Sequence, residues 1–154
     1  MINKFEGQYE FLSNFFPSVI EYEGFEYPTV EHAFQAAKTL NLDKRLRIAE
    51  LPTPGEAKRA GRALELRSDW DNVKLQVMED CLREKFKHTE LLLKLIGTGD
   101  EFLMEGNYWH DNFWGSCSCE KCGGNGQNQL GKLLMKIRDE YMEVINSLNK
   151  IPLD

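Results

Sequence analysis

The chain has 154 residues, enough for one domain with a buried core, and its 42% hydrophobic, 11% aromatic and 29% charged content is that of a globular protein. A formal charge of -6 and a pI near 5.2 argue against a broad electrostatic footprint on nucleic acid, while leaving room for a small local anion site. No apolar run approaches the length of a membrane span, and the N-terminus MINKFEGQYE lacks the basic and apolar regions of a secretion signal, so the expected setting is cytoplasmic, with no membrane partner.

Taken in order, the chain first offers FLSNFFP, Phe11 to Pro17, in which the turn formers Ser13 and Asn14 are ringed by aromatic groups. This is either a loop pinned to the core or a ligand clamp, with an aromatic ring stacking on a flat group and Ser13 or Asn14 hydrogen-bonding it. Ile20 and Tyr22, then Phe25 and Tyr27, alternate with glutamates around Gly24, which predicts a hairpin with one buried face. The stretch YPTVEHAFQAAKT, Tyr27 to Thr39, then predicts a helix with Thr29 as N-cap. At about 100° per residue, Val30, Phe34 and Ala37 form an apolar stripe, and Glu31, Gln35 and Lys38 form a polar one roughly a quarter turn away. The polar stripe is therefore expected at the edge of the core, as a pocket wall or as an ordinary surface face.

A second helical piece is expected over Asn41 to Leu51. Thr53, Pro54 and Glu56 then supply an N-cap, a proline at the first helical position and a capping box. The helix they start carries Lys58, Arg59 and Arg62 in one sector, which reads either as a solvated basic face or as a phosphate or diphosphate site. Ser68 with Asp71 predicts the start of a longer helix whose core positions include Trp70, Val73, Val77, Met78, Cys81 and Phe86. Thr89 is expected to cap a helix that Gly97 stops, with His88 in the junction as a helix-end residue. Phe102 to Met104 reads as a short strand. Asn128 is expected to cap a final amphipathic helix that buries Leu130, Leu133, Leu134, Ile137, Tyr141, Val144, Ile145 and Leu148. The free N–H groups at that helix start are a second candidate anion site. The chain shows no linker or repeat, so residues 1–150 read as a single domain, with 151–154 a frayed C-terminus.

Between Glu101 and Asn128 lies a glycine-rich, irregular stretch, which in a compact domain is more often functional than filler. Its carboxylates Glu105 and Asp111 join Glu31 as candidates. Beside Trp109, Phe113 and Trp114 such acids would be partly desolvated, which suits a general acid, or else they brace the loop. Lys38, an amine at a pocket edge with other cations near it, is the candidate for attack on a carbonyl-like carbon through a Schiff base. Cys117, Cys119 and Cys122 form C-x-C-x-x-C, too tightly clustered for a disulfide framework. Structural zinc usually shows two well-spaced ligand pairs, which are missing, so the expectation is reduced thiols and no metal. Zinc on Cys117, Cys119, Cys122 and His110 is the alternative.

FLSNFFPS, YEGFEYPTVEHAFQAAKT, AKRAGR, RSDWDNVK, EGNYWHDNFWG and GQNQLGKLLMKIR together resemble, in order and across nearly the whole chain, the NADAR family of YbiA-like N-glycosidases. The resemblance implies an α+β fold, compact and mostly α-helical with a small β-hairpin or sheet. It implies hydrolysis of an N-glycosidic bond at C1 of a phosphorylated ribose, without a cofactor. Two substrate classes come with the family: ADP-ribose attached to guanine in nucleic acid, and N-ribosylated intermediates of riboflavin biosynthesis. Carried over residue by residue, Ser13, Asn14 and Phe15 match the ligand-holding turn, and Glu31, His32, Gln35 and Lys38 match the central helix. Glu105, Asn107, Asp111, Trp114 and Gly115 match the late loop. The leading expectation takes Lys38, Glu31, Glu105 and Asp111 as the catalytic set, the general acid being one of the three carboxylates, and adds Arg59 and Arg62 of the basic sector to the substrate-binding residues. The cysteine cluster departs from family members with a shorter loop. The competing class is a module that binds ADP-ribose or a nucleotide without cleaving it.

Overall fold

The computed structural model describes residues 1–152. Leu153 and Asp154, part of the end expected to fray, lie outside the described residues, and Ile151 and Pro152 are exposed and outside any helix. The fold is α+β, mostly helical with two small two-stranded sheets. By its internal contacts the chain divides into two compact units, Asn14–His88 and a second one built from Met1–Ser13 together with the chain from Thr89 onward.

In the Asn14–His88 unit, β1 (Ile20–Tyr22) and β2 (Phe25–Tyr27) pair antiparallel with Ile20 opposite Tyr27. The two turn residues, Glu23 at φ 46° and Gly24 at φ 89°, both take the left-handed conformation that a two-residue hairpin turn requires. Ile20 and Tyr27 supply the expected buried face. Helix α1 (Val30–Ala36) follows, capped by Thr29, whose hydroxyl accepts from the His32 amide at 3.1 Å. Around α1 pack the hairpin, α2 (Leu42–Ala49), α3 (Pro54–Arg62) and α4 (Trp70–Lys85). With neighbours on every side, all seven residues of α1 are buried. The polar stripe expected at the edge of the core is inside it: a moment separates two faces but cannot say how many elements cover them.

Asn41 caps α2 through Lys44 N inside the stretch expected to be helical, and Thr53 caps α3 through Glu56 N as its sequence signal requires. The start of α4 differs from expectation, since its N-cap is Asp69 rather than Ser68 and no side-chain cap bond is made. His88 ends the unit with Nε2 bonded to Val19 O at 2.9 Å, as a helix-end residue.

The other unit contains a 3-10 turn (Gly7–Leu12), α5 (Thr89–Gly97), the paired β3 (Gly106–Asn107) and β4 (Ser116–Cys117), and α6 (Gln129–Asn149). Its core includes Ile2, Phe5, Phe11, Leu12, Leu91, Leu95, Leu103, Leu130, Leu134 and Ile137. The strand expected over Phe102 to Met104 is a single parallel bridge, Leu103 with Ile2. Helix α6 buries its first half only: Val144 and Leu148, expected on the apolar side, are 56% and 60% exposed. Helical spacing sets which side they share, and no described element of this unit reaches far enough to cover it. Among the described residues no helix is long and apolar enough to cross a membrane.

Candidate active site

The first cluster of functional side chains is centred on α1. Glu31 is buried and accepts from Gln35 Nε2 at 2.8 Å, one helical turn on. Lys38, half-buried just past the end of α1, lies with its Nζ 5.9 Å from the Phe34 ring centre. Burial lowers the Lys38 pKa below the ordinary lysine value; the Glu31 carboxylate opposes this, and the Arg62 and Lys58 cations add to it. The structure therefore brings Glu31, Gln35, Lys38, Lys58 and Arg62 into one electrostatic neighbourhood. Arg59, on the same helix, is exposed.

His32 is fully buried with both ring nitrogens engaged. Nε2 faces the Leu51 carbonyl at 2.9 Å and so carries the proton, leaving Nδ1 to accept from the Thr29 hydroxyl at 2.8 Å. Burial lowers its pKa, and the neutral ring ties α1 to the end of α2. A ring enclosed in this way orients the helix rather than touching substrate. Asn14 is nearly buried, and its carbonyl accepts from Glu31 N at 3.1 Å, which holds Asn14 on the first turn of α1. Its Nδ2 meets Met78 Sδ at 3.5 Å, while its buried Oδ1 has no donor among the described residues. Phe15 is 42% exposed, and Ser13 is half-buried at the end of the 3-10 turn.

Gly61 of α3 fixes the amide of Gln35. A Cβ there would stand 1.8 Å from Gln35 Oε1 and 2.6 Å from Gln35 Cδ, inside any allowed contact. Gly61→Ala should therefore swing the amide away from Glu31 and cost about 1–3 kcal/mol through overpacking. The urea midpoint should fall at an unchanged m-value, and a variant as stable as the parent would show that Gln35 is not held.

The second cluster belongs to the late loop. Asn107, 1% exposed, donates to Asp111 O at 2.8 Å and accepts from the Trp109 and Asp111 amides, both at 3.2 Å. Asp111 Oδ1 in turn accepts from Phe113 N at 3.2 Å and Trp114 N at 3.0 Å. These two residues thus brace the loop, and one Asp111 oxygen is committed to that task. Gly115 is a packing position, since a Cβ would lie 2.2 Å from Glu105 O and 2.8 Å from Asn107 Nδ2. Glu105 is half-buried, with its amide held by Asn128 Oδ1 at 3.0 Å. The Trp114 ring meets Phe113 edge-on at 4.8 Å, and Trp109 is 60% exposed.

The anion site expected at the start of α6 is not available. Gln129 N and Leu130 N donate to Phe113 O and Trp114 O at 3.0 and 2.9 Å, so loop carbonyls take the amides an anion would need. Asn128, at φ 52°, is the N-cap by position only; its side chain joins Leu103 O to Glu105 N instead. His110 Nδ1 converges with the sulfurs of Cys117, Cys119 and Cys122, all four atoms within 4.8 Å of one another.

Sequence reasoning missed Lys85 and Arg45, two buried cations of the Asn14–His88 unit. Lys85 of α4 is fully buried, 5.8 Å from the Phe16 ring centre and 5.6 Å from that of Phe86, and burial lowers its pKa to about 7. Its spacing of four from Cys81 places it on the buried stripe of α4, which was the available signal.

A mostly helical α+β protein with a desolvated lysine beside a buried carboxylate and a basic helix defines an enzyme-like class rather than an identity. The chain belongs to the NADAR domain family, whose pattern matches residues 2–142 and so spans both units. It is 40% identical over 147 residues to an N-glycosidase of Nostoc punctiforme, covering 90% of this chain and 89% of that one. It is 40% identical over 131 residues to the N-glycosidase YbiA of Escherichia coli (strain K12), with 83% and 79% covered. A riboflavin biosynthesis protein of Vibrio vulnificus is 35% identical over 136 residues, covering 86% of this chain but 36% of its own length. The solved NMR structure of E. coli YbiA superimposes with a TM-score of 0.79 at 35% identity, over 99% of this chain and 92% of that one.

Proposed function

We propose that this protein is a hydrolase acting on N-glycosyl bonds, an N-glycosidase that breaks the bond between a base nitrogen and ribose C1, and that its substrate is ADP-ribose attached to guanine in nucleic acid. The observation that carries the reading is Lys38: its amine is half-buried, its pKa is lowered mainly by burial, and it stands beside Glu31, Lys58 and Arg62. A lowered pKa favours the neutral amine that is a nucleophile for C1, and the neighbouring cations suit a phosphate or diphosphate. In the reaction a carboxyl group protonates the base as the C1–N bond breaks, its electron pair leaving with the base. The oxocarbenium-like sugar is stabilised by a carboxylate and taken by water, or the Lys38 amine bonds to C1 and a proton passes to the ring oxygen as the C1–O bond opens, giving an open-chain Schiff base that water then hydrolyses. Asn14, with its unpaired buried Oδ1, supports the role of ligand-holding turn for Ser13, Asn14 and Phe15. Reduced thiols and an acidic chain suit a cytoplasmic setting.

The relatives named for riboflavin biosynthesis favour a second reading, in which an N-ribosylated intermediate of that pathway yields free base and ribose 5-phosphate. Incubating the protein separately with an ADP-ribosylated guanine oligonucleotide and with the ribosylaminouracil phosphate, and following free base, discriminates the two. Release from the oligonucleotide alone supports the first reading, and release from the phosphate alone supports the second. Tight binding with release from neither would leave a non-catalytic ADP-ribose or nucleotide module.

A further inference from the structure

The C-x-C-x-x-C loop plays no part in the glycosidase reading, yet its geometry is ordered. The parallel pairing of β3 with β4 sets Asn107 opposite Cys117, so the loop that leaves Asn107 and carries His110 starts beside the first cysteine. Cys119 O accepts from Cys122 N at 3.2 Å and from Gly123 N at 2.9 Å, and Gly124 N returns to Cys117 O at 3.0 Å. This turn needs Gly123 and Gly124 at φ 67° and 75°, and it brings the three thiols to one side. His110, itself at φ 68°, brings Nδ1 to 3.3 Å from Cys122 Sγ, 3.5 Å from Cys119 Sγ and 3.8 Å from Cys117 Sγ. Bond lengths of about 2.3 Å to sulfur and about 2.0–2.1 Å to nitrogen in a tetrahedron set each S···N separation near about 3.6 Å. The three distances straddle that value.

We infer that His110, Cys117, Cys119 and Cys122 form a structural zinc site. Three thiols and an imidazole are soft and borderline ligands that select Zn²⁺ among the common divalent ions, and four protein ligands leave no open coordination position for catalysis. Binding converts each thiol to a thiolate, releases its proton to solvent and uses the neutral imidazole through Nδ1. Cys117 also has its amide held by Asn112 Oδ1 at 2.9 Å, so the metal would close the 110–117 segment, with Asp111 and Asn112 inside it, into a ring tied by coordination. The two well-paired ligand sets that sequence spacing looks for are replaced here by one cysteine knuckle and two residues that strand pairing brings alongside.

The test is metal analysis of the reduced full-length chain purified after growth with added zinc chloride. The expected result is one zinc per chain, with cobalt exchange giving visible ligand-field bands and thiolate charge-transfer absorption. Cys119→Ser should weaken zinc binding on the order of 100-fold, and His110→Ala should shift the cobalt bands. Cys81→Ser, in the other unit, should leave the stoichiometry at one. If the ligand variants fail to fold, zinc content and the cobalt spectrum of the unmodified chain still decide. Trace zinc with a featureless cobalt spectrum overturns the assignment, as does a cobalt spectrum that Cys119→Ser leaves unchanged.

Discussion

Lys38→Met is expected to lower turnover by about 10³-fold or more and to remove the covalent adduct that borohydride captures on the wild-type protein during turnover. The expectation follows from position as much as from pKa. Lys38 and Lys85 of the Asn14–His88 unit both have lowered values, and burial is the leading cause for each. Lys85 is fully enclosed and has no path to a sugar carbon, whereas Lys38 is half-buried and keeps one. A perturbed pKa marks a functional candidate only where the group can also be reached. The reactive form is the neutral amine, so kcat/KM should rise with pH through the lowered Lys38 value. Arg62 helps hold that value down. Arg62→Ala should therefore move the rising limb to higher pH, a shift that loss of a phosphate contact alone would not produce. Retention of activity within about tenfold in Lys38→Met, or an adduct mapped to another residue, would remove Lys38 from the chemistry.

Much of this arrangement is legible in the sequence wherever a local signal decides the outcome. Thr29 and Thr53 cap the helices their positions announce, and Glu23–Gly24 makes the turn its flanking strands require. What local patterns do not carry is the number of neighbours an element acquires. The α1 stripe correctly groups Glu31, Gln35 and Lys38, but only the assembled helices around it show that the first two are buried. The reverse holds for Val144 and Leu148, whose helical spacing is that of a core face and whose surroundings are solvent. Buried cations are hidden for the same reason. Arg45 is 1% exposed because Thr39 O and Glu23 meet its guanidinium at 2.7 and 2.8 Å, and Arg138 is 3% exposed because Glu101 O and Thr98 Oγ1 do so at 2.7 and 3.1 Å. Apart from Thr39, those acceptors lie 22 to 40 residues away in the chain, outside any periodicity window. Asp111 was legible both as a candidate acid and as a brace of its loop, whereas Asn107 was legible as a functional type but not as the centre of that loop's hydrogen-bond frame.

Lys85 makes the second large prediction, a pH dependence of stability. Burial lowers its pKa from the ordinary 10.5 to about 7 in the folded chain. For a group with a depressed folded pKa, the unfolded chain binds more protons between the two values, so stability rises with pH across that window and is lost as pH falls toward 7. The slope from one proton is at most about 1.4 kcal/mol per pH unit. Above about pH 9 other groups oppose the trend. Tyr27 is pushed up to about 12, and Tyr22 and the Cys81 thiol are also raised, all mainly by burial, so that unfolding releases their protons. The clean window is therefore roughly pH 7 to 9. Over it the wild-type chain should gain about 2 kcal/mol relative to Lys85→Met, a substitution of similar length that leaves no ammonium to bury. Taking the difference between the two chains cancels the tyrosines and Cys81, which both retain. Urea unfolding at a series of pH values measures it, and parallel stability curves for the two proteins would show that Lys85 remains charged beside Phe16 and Phe86 in spite of its burial.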